Sequence, residues 1–547
     1  MTCISSLSHS QRWILWVLLQ IPISTNAWIL SSRFRSDSGA FVSSRPSLCA
    51  FATENGILAE TNSSSTTTTT TSHDKIPTLT SSLNQESLEQ RKFPRTWVPL
   101  ASTYEIDPDR PSPLEFLGQN YVCYRDNNQK WVVMDDCCPH RLVPLSEGRI
   151  NRASNSLQCS YHGWEFNSDG NCIRIPQATP EIEKVALSSQ RSCVASYPVH
   201  IEKNVIWFWP WSEDPLSIAS EPSKHPEGLM SGAIINPSTY TRDLPYGWDT
   251  LVENLIDPSH VPFAHHGLQG KREDAIPINM TVPQSLGAQG FRFEWQDRTM
   301  GMLRSGTGSF QAPFAVVYDA KYQSDTPRDF KLSVLCIPTK PGWSRAIILG
   351  PSMELPNDHH QADRKQDLQL NAECSVETQP TDKNKNKKRA PSLMRRIFKL
   401  IPVWMVHQLN NRFLDSDLAF LHYQEHERQR RDSYYMPAPS DRCIAALRSW
   451  VPKYTDMAKV QLPLALTRSQ MFDRWSQHTS KCVHCQRGLK TLQNVRRSSH
   501  FFLALSIVGF KYNLAKVIAL LCLGALQIAS KIEKNFREGD FRHYENN

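Results

Sequence analysis

The sequence predicts an α+β chain: a small all-β domain, then a larger α+β domain, then a C-terminal membrane anchor. Three observations carry this expectation. Between residues 93 and 211 short strand-like runs alternate with turn residues. From 246 to 430 helical periodicities are separated by further strand-like runs, and two apolar segments follow one another between residues 501 and 530.

The elements follow in chain order. Residues 1–27 carry Arg12, the apolar run "WILWVLLQIPI" and then "STNA", the grammar of a signal peptide. Residues 28–60 are rich in Ser and Arg with Asp37 the one acidic residue through Thr53, the composition of a transit peptide; a signal anchor with a polar luminal stretch is the alternative. Residues 61–92 include "TNSSSTTTTTTS" and read as a low-complexity linker. In 93–211, "YVCYRDNNQKWVVM" predicts a hairpin turning at Asn127 and Asn128, and "GWEFNSDGNCIRI" one turning at Asp169 and Gly170. "NVIWFWPW" reads as the closing strand.

A Pro- and Ser-rich bridge at 212–240 leads into the second domain, 212–475, with helical patterns near 246–266 and 393–430 and strands at "FRFEW", "FAVVYDAKY" and "FKLSVLCI". The run "DKNKNKKR" at 382–389, flanked by prolines, reads as a solvated loop, with docking of an acidic electron carrier the alternative. A Cys-x-x-Cys segment occupies 476–500 and the anchor 501–530, followed by a tail at 531–547. "LAKVIALLCLGALQIAS" is about 26 Å long as a helix, and "FFLALSIVGF" is too short to span alone. A single helix or a tight hairpin is expected, against a buried or interfacial amphipathic pair.

Composition excludes a wholly disordered protein, with 40% hydrophobic and 21% charged residues over 547 positions. Fourteen scattered cysteines argue against a secreted disulfide scaffold and for thiol or metal sites. No nucleic-acid partner is expected.

Two motifs carry chemistry. Cys138-Pro-His140 is followed after 18 residues by Cys159-x-x-His162, so each half supplies one cysteine and one histidine. A zinc finger pairs like with like on a hairpin and a helix. Here both halves lie at hairpin tips, which suits a Rieske 2Fe-2S cluster with two thiolates on one iron and two imidazoles on the other. Cys137 is then a bystander, expected as a small buried residue under the loop. A cluster only passes electrons, and "ENLIDPSHVPFAHHG" offers a receiver: Asn254, Asp257, His260 and His265. Histidines five apart on a regular helix point about 140° away from each other, so a distortion is required, and Pro262 is expected to break the helix. Two imidazoles and one carboxylate would make a facial triad for mononuclear non-haem Fe(II), with "FLDSDLAFLHYQE" offering Asp415 and Asp417 as the acid. His266 is expected to point away.

"CPHRLVPLSEGRI", "LQCSYHGWEF" and "ENLIDPSHVPFAHHG" resemble the Rieske-type ring-hydroxylating oxygenases and, over residues 93 to 545, their plastid branch, the pheophorbide a oxygenase family. The spacer between the cluster motifs is slightly longer than that family's usual range. The resemblance implies a Rieske domain at 93–211, a helix-grip-like iron domain, and Asp417 rather than Asp415 as the iron ligand. It implies that Asp257 bridges a cluster histidine of one subunit to an iron histidine of the next, in a head-to-tail homotrimer. It further implies reduced ferredoxin, dioxygen and a tetrapyrrole, pheophorbide a first, as partners. Protochlorophyllide, chlorophyllide or another plastid pigment, or a redox-sensing role in plastid protein import, are the alternatives. Cys482 and Cys485, read from spacing alone, form a switchable disulfide, half a zinc site, or nothing; the resemblance adds thioredoxin as a partner. The presequence resembles that of algae with complex plastids, and with the resemblance implies a plastid envelope or thylakoid location.

Overall fold

The computed structural model describes residue 88 and residues 90–212, 239–282, 287–323, 328–352, 401–431, 433–508 and 512–545. The expected signal and transit segments, nearly all of the linker, the bridge at 213–238 and the basic run at 382–389 lie outside the described residues.

The first domain is built from eleven short strands: β1 (Val98–Ser102), β2 (Ser112–Phe116), β3 (Gln119–Arg125), β4 (Trp131–Asp135), β5 (Arg149–Asn151), β6 (Ser156–Gln158), β7 (Glu165–Phe166), β8 (Cys172–Arg174), β9 (Ser196–Tyr197), β10 (Val199–Glu202) and β11 (Val205–Phe208), with one helix, α1 (Pro180–Leu187). They form three antiparallel sheets, ordered β1-β11-β10, β2-β3-β4-β9 and β5-β6-β7-β8. Both expected hairpins are present, β3 with β4 and β7 with β8. Gly170 turns the second with φ 85, and a Cβ there would stand 1.9 Å from the Val194 carbonyl, so the position accepts only glycine. The expected closing strand is β11, which lies between β1 and β10 and is buried along its whole length.

The second domain is a six-stranded antiparallel sheet of order β12-β17-β16-β15-β14-β13, from β12 (Tyr240–Leu244), β13 (Gly290–Thr299), β14 (Met302–Gln311), β15 (Ala315–Tyr322), β16 (Arg328–Pro338) and β17 (Ser344–Ser352). Period-two alternation sorts its side chains into two cores. Leu335, Ile337, Ile347 and Leu349 join β1 and β11 of the first domain. Val334, Cys336 and Ala346 face the other way, onto α2 (Trp248–Leu255), α4 (Val403–Arg430) and α5 (Arg442–Tyr454). One helical turn, α3 (Val261–Ala264), follows α2.

The C-terminal part differs from the expected division. α6 (Val483–Val508) runs from the Cys-x-x-Cys motif across residue 500, so the first apolar segment is the end of a long helix. α7 (Asn513–Arg537) packs back along it, and among the described residues it is the one helix long and apolar enough to cross a membrane. Both ends of this hairpin rest on the preceding domain: Trp404 and Trp475 pack against the cluster of Cys482, Cys485 and Phe536, and Phe541 of the tail enters the core of the second domain. Away from it the hairpin exposes Phe501, Leu505, Val508, Leu514, Leu520 and Leu521.

Candidate functional site

The two cluster loops are the same five-residue turn used twice. Leu142 N–H donates to the Cys138 carbonyl (2.8 Å) and Gly163 N–H to the Cys159 carbonyl (3.0 Å). Cys138 N–H reaches Val143 O and Cys159 N–H reaches Trp164 O, both at 2.9 Å. The fifth residue of each turn is left-handed, Leu142 at φ 58 and Gly163 at φ 74. Histidine occupies the third place in one loop and the fourth in the other. Asp136 fastens the first loop by accepting from the Ser146 amide and hydroxyl, each at 2.6 Å.

The result is a sorted set of donors. Cys138 and Cys159 are buried, while the His140 and His162 rings sit partly exposed with centroids 4.5 Å apart. Trp164 stacks on His140 at 4.7 Å and an 8° interplanar angle. Burial, with His162 and Arg141 nearby, lowers the His140 pKa, so the imidazole stays neutral, and its buried Nδ1 has no hydrogen-bond partner. Burial and the neighbouring Cys159 push the Cys138 thiol up to about 12. Two buried thiols and two outward imidazoles fit a Rieske cluster. Cys137 is partly exposed, not buried as expected: its neighbour Cys138 is the one that enters the core behind the loop.

The second set of donors comes from the α2–α3 segment and from α4. α2 is tied to its neighbours: Glu425 of α4 accepts the Gly247 amide (2.8 Å), and Asp249 receives Arg428 (2.8 Å) and Arg448 (2.7 Å). The distortion that brings His260 and His265 together is not made by Pro262. The helix breaks at Ile256–Asp257, a 3₁₀ turn spans Pro258–His260, and His265 lies just beyond α3 at φ −104, ψ 26. Pro262 sits in the first turn of α3, where its missing N–H costs nothing.

His260 Nε2 and His265 Nε2 are 3.3 Å apart, and Asp417 closes the triangle at 3.9 and 3.5 Å. The donor atoms of all three lie within 4.8 Å of one another. Ser416 donates to the Phe413 carbonyl (2.5 Å), so its oxygen receives the His265 Nδ1 proton (2.8 Å) and the Nε2 lone pair faces inward. Phe413 stacks on the same ring at 3.9 Å. Burial and then His260 hold the His265 pKa well below its ordinary value, keeping it neutral. Burial pushes the Asp417 carboxyl up to about 6, against the pull of His260 and a hydrogen bond from Asn254. Burial opposes a charge on His260, but Asp257 and Asp417 beside it raise its pKa above the ordinary value. Two imidazoles, one of them held neutral, and a carboxylate whose buried Oδ1 lacks a hydrogen-bond partner fit a facial metal triad.

The other predicted residues fall as follows. Asp257 Oδ2 stands 3.7 Å from His260 Nδ1, and its Oδ1 accepts from the Ser259 amide and hydroxyl. Asp415 faces away from the triad and pairs with Arg242 (2.8 Å) and Arg474 (3.0 Å). His266 accepts the Arg272 amide (3.1 Å) and is absent from the triad. Cys482 and Cys485 are buried and free at the start of α6. Sequence reasoning missed Ser416, whose position beside Asp417 was its only signal.

Comparison with known proteins places this geometry. Residues 96–198 match the Rieske [2Fe-2S] domain family and residues 310–434 the pheophorbide a oxygenase family. Chloroplastic pheophorbide a oxygenase of Arabidopsis thaliana is 30% identical, with 84% of this chain and 86% of that protein covered. The chloroplastic protochlorophyllide-dependent translocon component 52 of the same plant is 31% identical over 72% of this chain and 73% of its own. Chloroplastic flavonoid 8-hydroxylase 2 of Ocimum basilicum is 28% identical over 85% of this chain and 89% of its own. The chain belongs to the family of Rieske-type oxygenases that includes pheophorbide a oxygenase.

Proposed function

We propose that the chain is a membrane-attached plastid monooxygenase that takes electrons from reduced ferredoxin and oxidises a tetrapyrrole, with oxygenolytic opening of pheophorbide a as the leading reaction. The observation that carries this reading is the convergence of His260, His265 and Asp417 alongside two complete cluster loops. A redox sensor without catalysis has no use for a triad with open coordination positions. The relatives named for pheophorbide a support the substrate, and the one named for a flavonoid makes a mixed substrate panel the proper test.

Cys138, His140, Cys159 and His162 would hold the cluster, and His260, His265 and Asp417 the ferrous iron. When bound, these groups supply single electrons and dioxygen activation. The residues around them orient and seal. Ser416 keeps the His265 proton on Nδ1, Phe413 covers that ring, and Asn254 steadies Asp417. His260 and Asp257 are each 19% exposed where His265 is 1%, so the iron site opens on the Asp257 side. Leu142 and Tyr161 stand exposed at the cluster tips. Both facts support a head-to-tail trimer in which Asp257 links His260 to His162 of the next subunit.

The hairpin of α6 and α7 supports attachment from one face of a plastid membrane, because both its ends return to the folded body. The two-part presequence favours a complex plastid. Thioredoxin, as a partner of Cys482 and Cys485, would need an opening step to reach thiols this deeply buried. The test is turnover of the full chain with reduced ferredoxin and oxygen against pheophorbide a, protochlorophyllide, chlorophyllide and a flavone. Oxygen gained by a tetrapyrrole supports the proposal. Uncoupled oxygen consumption alone, or exclusive oxidation of the flavone, overturns it.

A further inference from the structure

Below the hairpin lies a second convergence of donor atoms that the oxygenase reaction does not use. His407 of α4, His478, Cys482 and Cys485 bring one nitrogen or sulfur each to within 4.8 Å of the others. Cys482 Sγ and Cys485 Sγ stand 3.5 and 3.6 Å from His407 Nδ1, and His478 Nε2 is 3.2 Å from Cys485 Sγ. A tetrahedral zinc ion with bonds of about 2.3 Å to sulfur and about 2.0 Å to nitrogen has sulfur-to-nitrogen edges of about 3.5 Å. These three sulfur-to-nitrogen distances already stand near those edges.

The surroundings prepare the nitrogens. His407 Nε2 lies 3.2 Å from the Thr239 carbonyl and His478 Nδ1 2.6 Å from the Thr241 carbonyl, so each ring gives its outer proton to the backbone and turns its lone pair inward. Thr239 and Thr241 are two residues apart on the extended segment that becomes β12, so both carbonyls point the same way. His478 sits on a π-helical turn, Trp475–Thr479, a local widening that recurs at functional sites. All four side chains are 2% exposed or less.

We infer that His407, His478, Cys482 and Cys485 form a structural zinc site that clamps the base of the α6–α7 hairpin onto α4 and β12. Binding removes one proton from each thiol, and two thiolates with two neutral imidazoles around a dication leave the buried site uncharged. The clamp bears on the iron site, because Asp417 lies ten residues, about 15 Å, along the helix that carries His407. A closed four-ligand set with no open position is the structural kind of zinc site. The burial that suits it also keeps a protein reductant from the sulfurs.

The test is metal analysis of the full chain in detergent, purified without chelators from zinc-supplemented cells. We expect about one zinc per chain beside the iron, and a zinc-edge absorption spectrum fitted by two sulfur and two nitrogen neighbours. Cys485→Ser and His407→Gln should each lower zinc at least tenfold while the visible spectrum of the cluster is kept. If these variants fail to fold, the zinc-edge spectrum of the unaltered chain still decides. Absence of zinc with Cys482 and Cys485 recovered as a disulfide or as free thiols, or iron in place of zinc, overturns the proposal.

Discussion

Replacing Asp415 and Asp417 one at a time separates two carboxylates that differ by two positions on α4 and by everything in their surroundings. Asp415 is fully buried and receives Arg242, itself fully buried, and Arg474. Asp415→Asn leaves two desolvated guanidinium groups without their countercharge. Breaking one buried ion pair costs about 3–5 kcal/mol, against a total stability of about 5–15 kcal/mol for a typical domain. Asp415→Asn should therefore lower the thermal midpoint sharply, or give insoluble protein.

Asp417 has no arginine. Burial pushes its carboxyl from 3.8 to about 6 even with His260 and Asn254 beside it, so its ionisation costs the fold about 3 kcal/mol. The sign follows from the raised value: folding favours the protonated acid, so the penalty is absent below 3.8 and complete above about 6. In the metal-free chain at neutral pH, Asp417→Asn should be neutral or stabilising. In the loaded chain it should remove the mononuclear iron, taking the ratio from about three irons per two labile sulfides to about two. Thermal denaturation in detergent, with iron and sulfide analysis, reads both effects. The reasoning is refuted if Asp415→Asn loses the iron at full stability while Asp417→Asn keeps it.

Further outcomes follow from single contacts. Cys138→Ser should abolish the visible spectrum of the cluster and Cys137→Ser should leave it unchanged, as absorbance of the purified variants will show. Ser416→Ala removes the partner that fixes the His265 tautomer, and iron affinity measured by chelator competition should fall about 10- to 100-fold with the fold intact. Asp243 is buried, yet Arg345 and then Lys481 hold its carboxyl below the ordinary range. Its stabilisation is present above 3.8 and is lost as pH falls through the lower folded value, so Asp243→Asn should cost about 3–5 kcal/mol at neutral pH in a denaturation midpoint and flatten the acid side of the stability profile.

Much of the candidate site was legible because its ligands are local in sequence. Each cluster loop spans five residues, and His260 and His265 share one segment, so residue type and spacing carried the chemistry. The hairpins around Asn127 and Gly170 were legible for the same reason, their turns being set by adjacent residues. What escaped depends on contacts between distant residues. Asp415 looked like a rival ligand until Arg242 and Arg474 were seen to hold it, 173 and 59 positions away. His407 lies 75 positions from Cys482 and carries no local mark of its partner. Pro262 misled because proline in the first turn of a short helix looks in sequence like proline that ends one. The short apolar run after residue 500 gave no sign that it continues the helix begun at Val483.

The measurement closest to the central claim is a single turnover. The full chain, reduced and loaded with one equivalent of pheophorbide a, is exposed to oxygen-18 gas without further donor. One labelled oxygen atom in the recovered pigment, with oxidation of both the cluster and the mononuclear iron, is the predicted result. Unlabelled pigment recovered while both centres are oxidised would contradict the account.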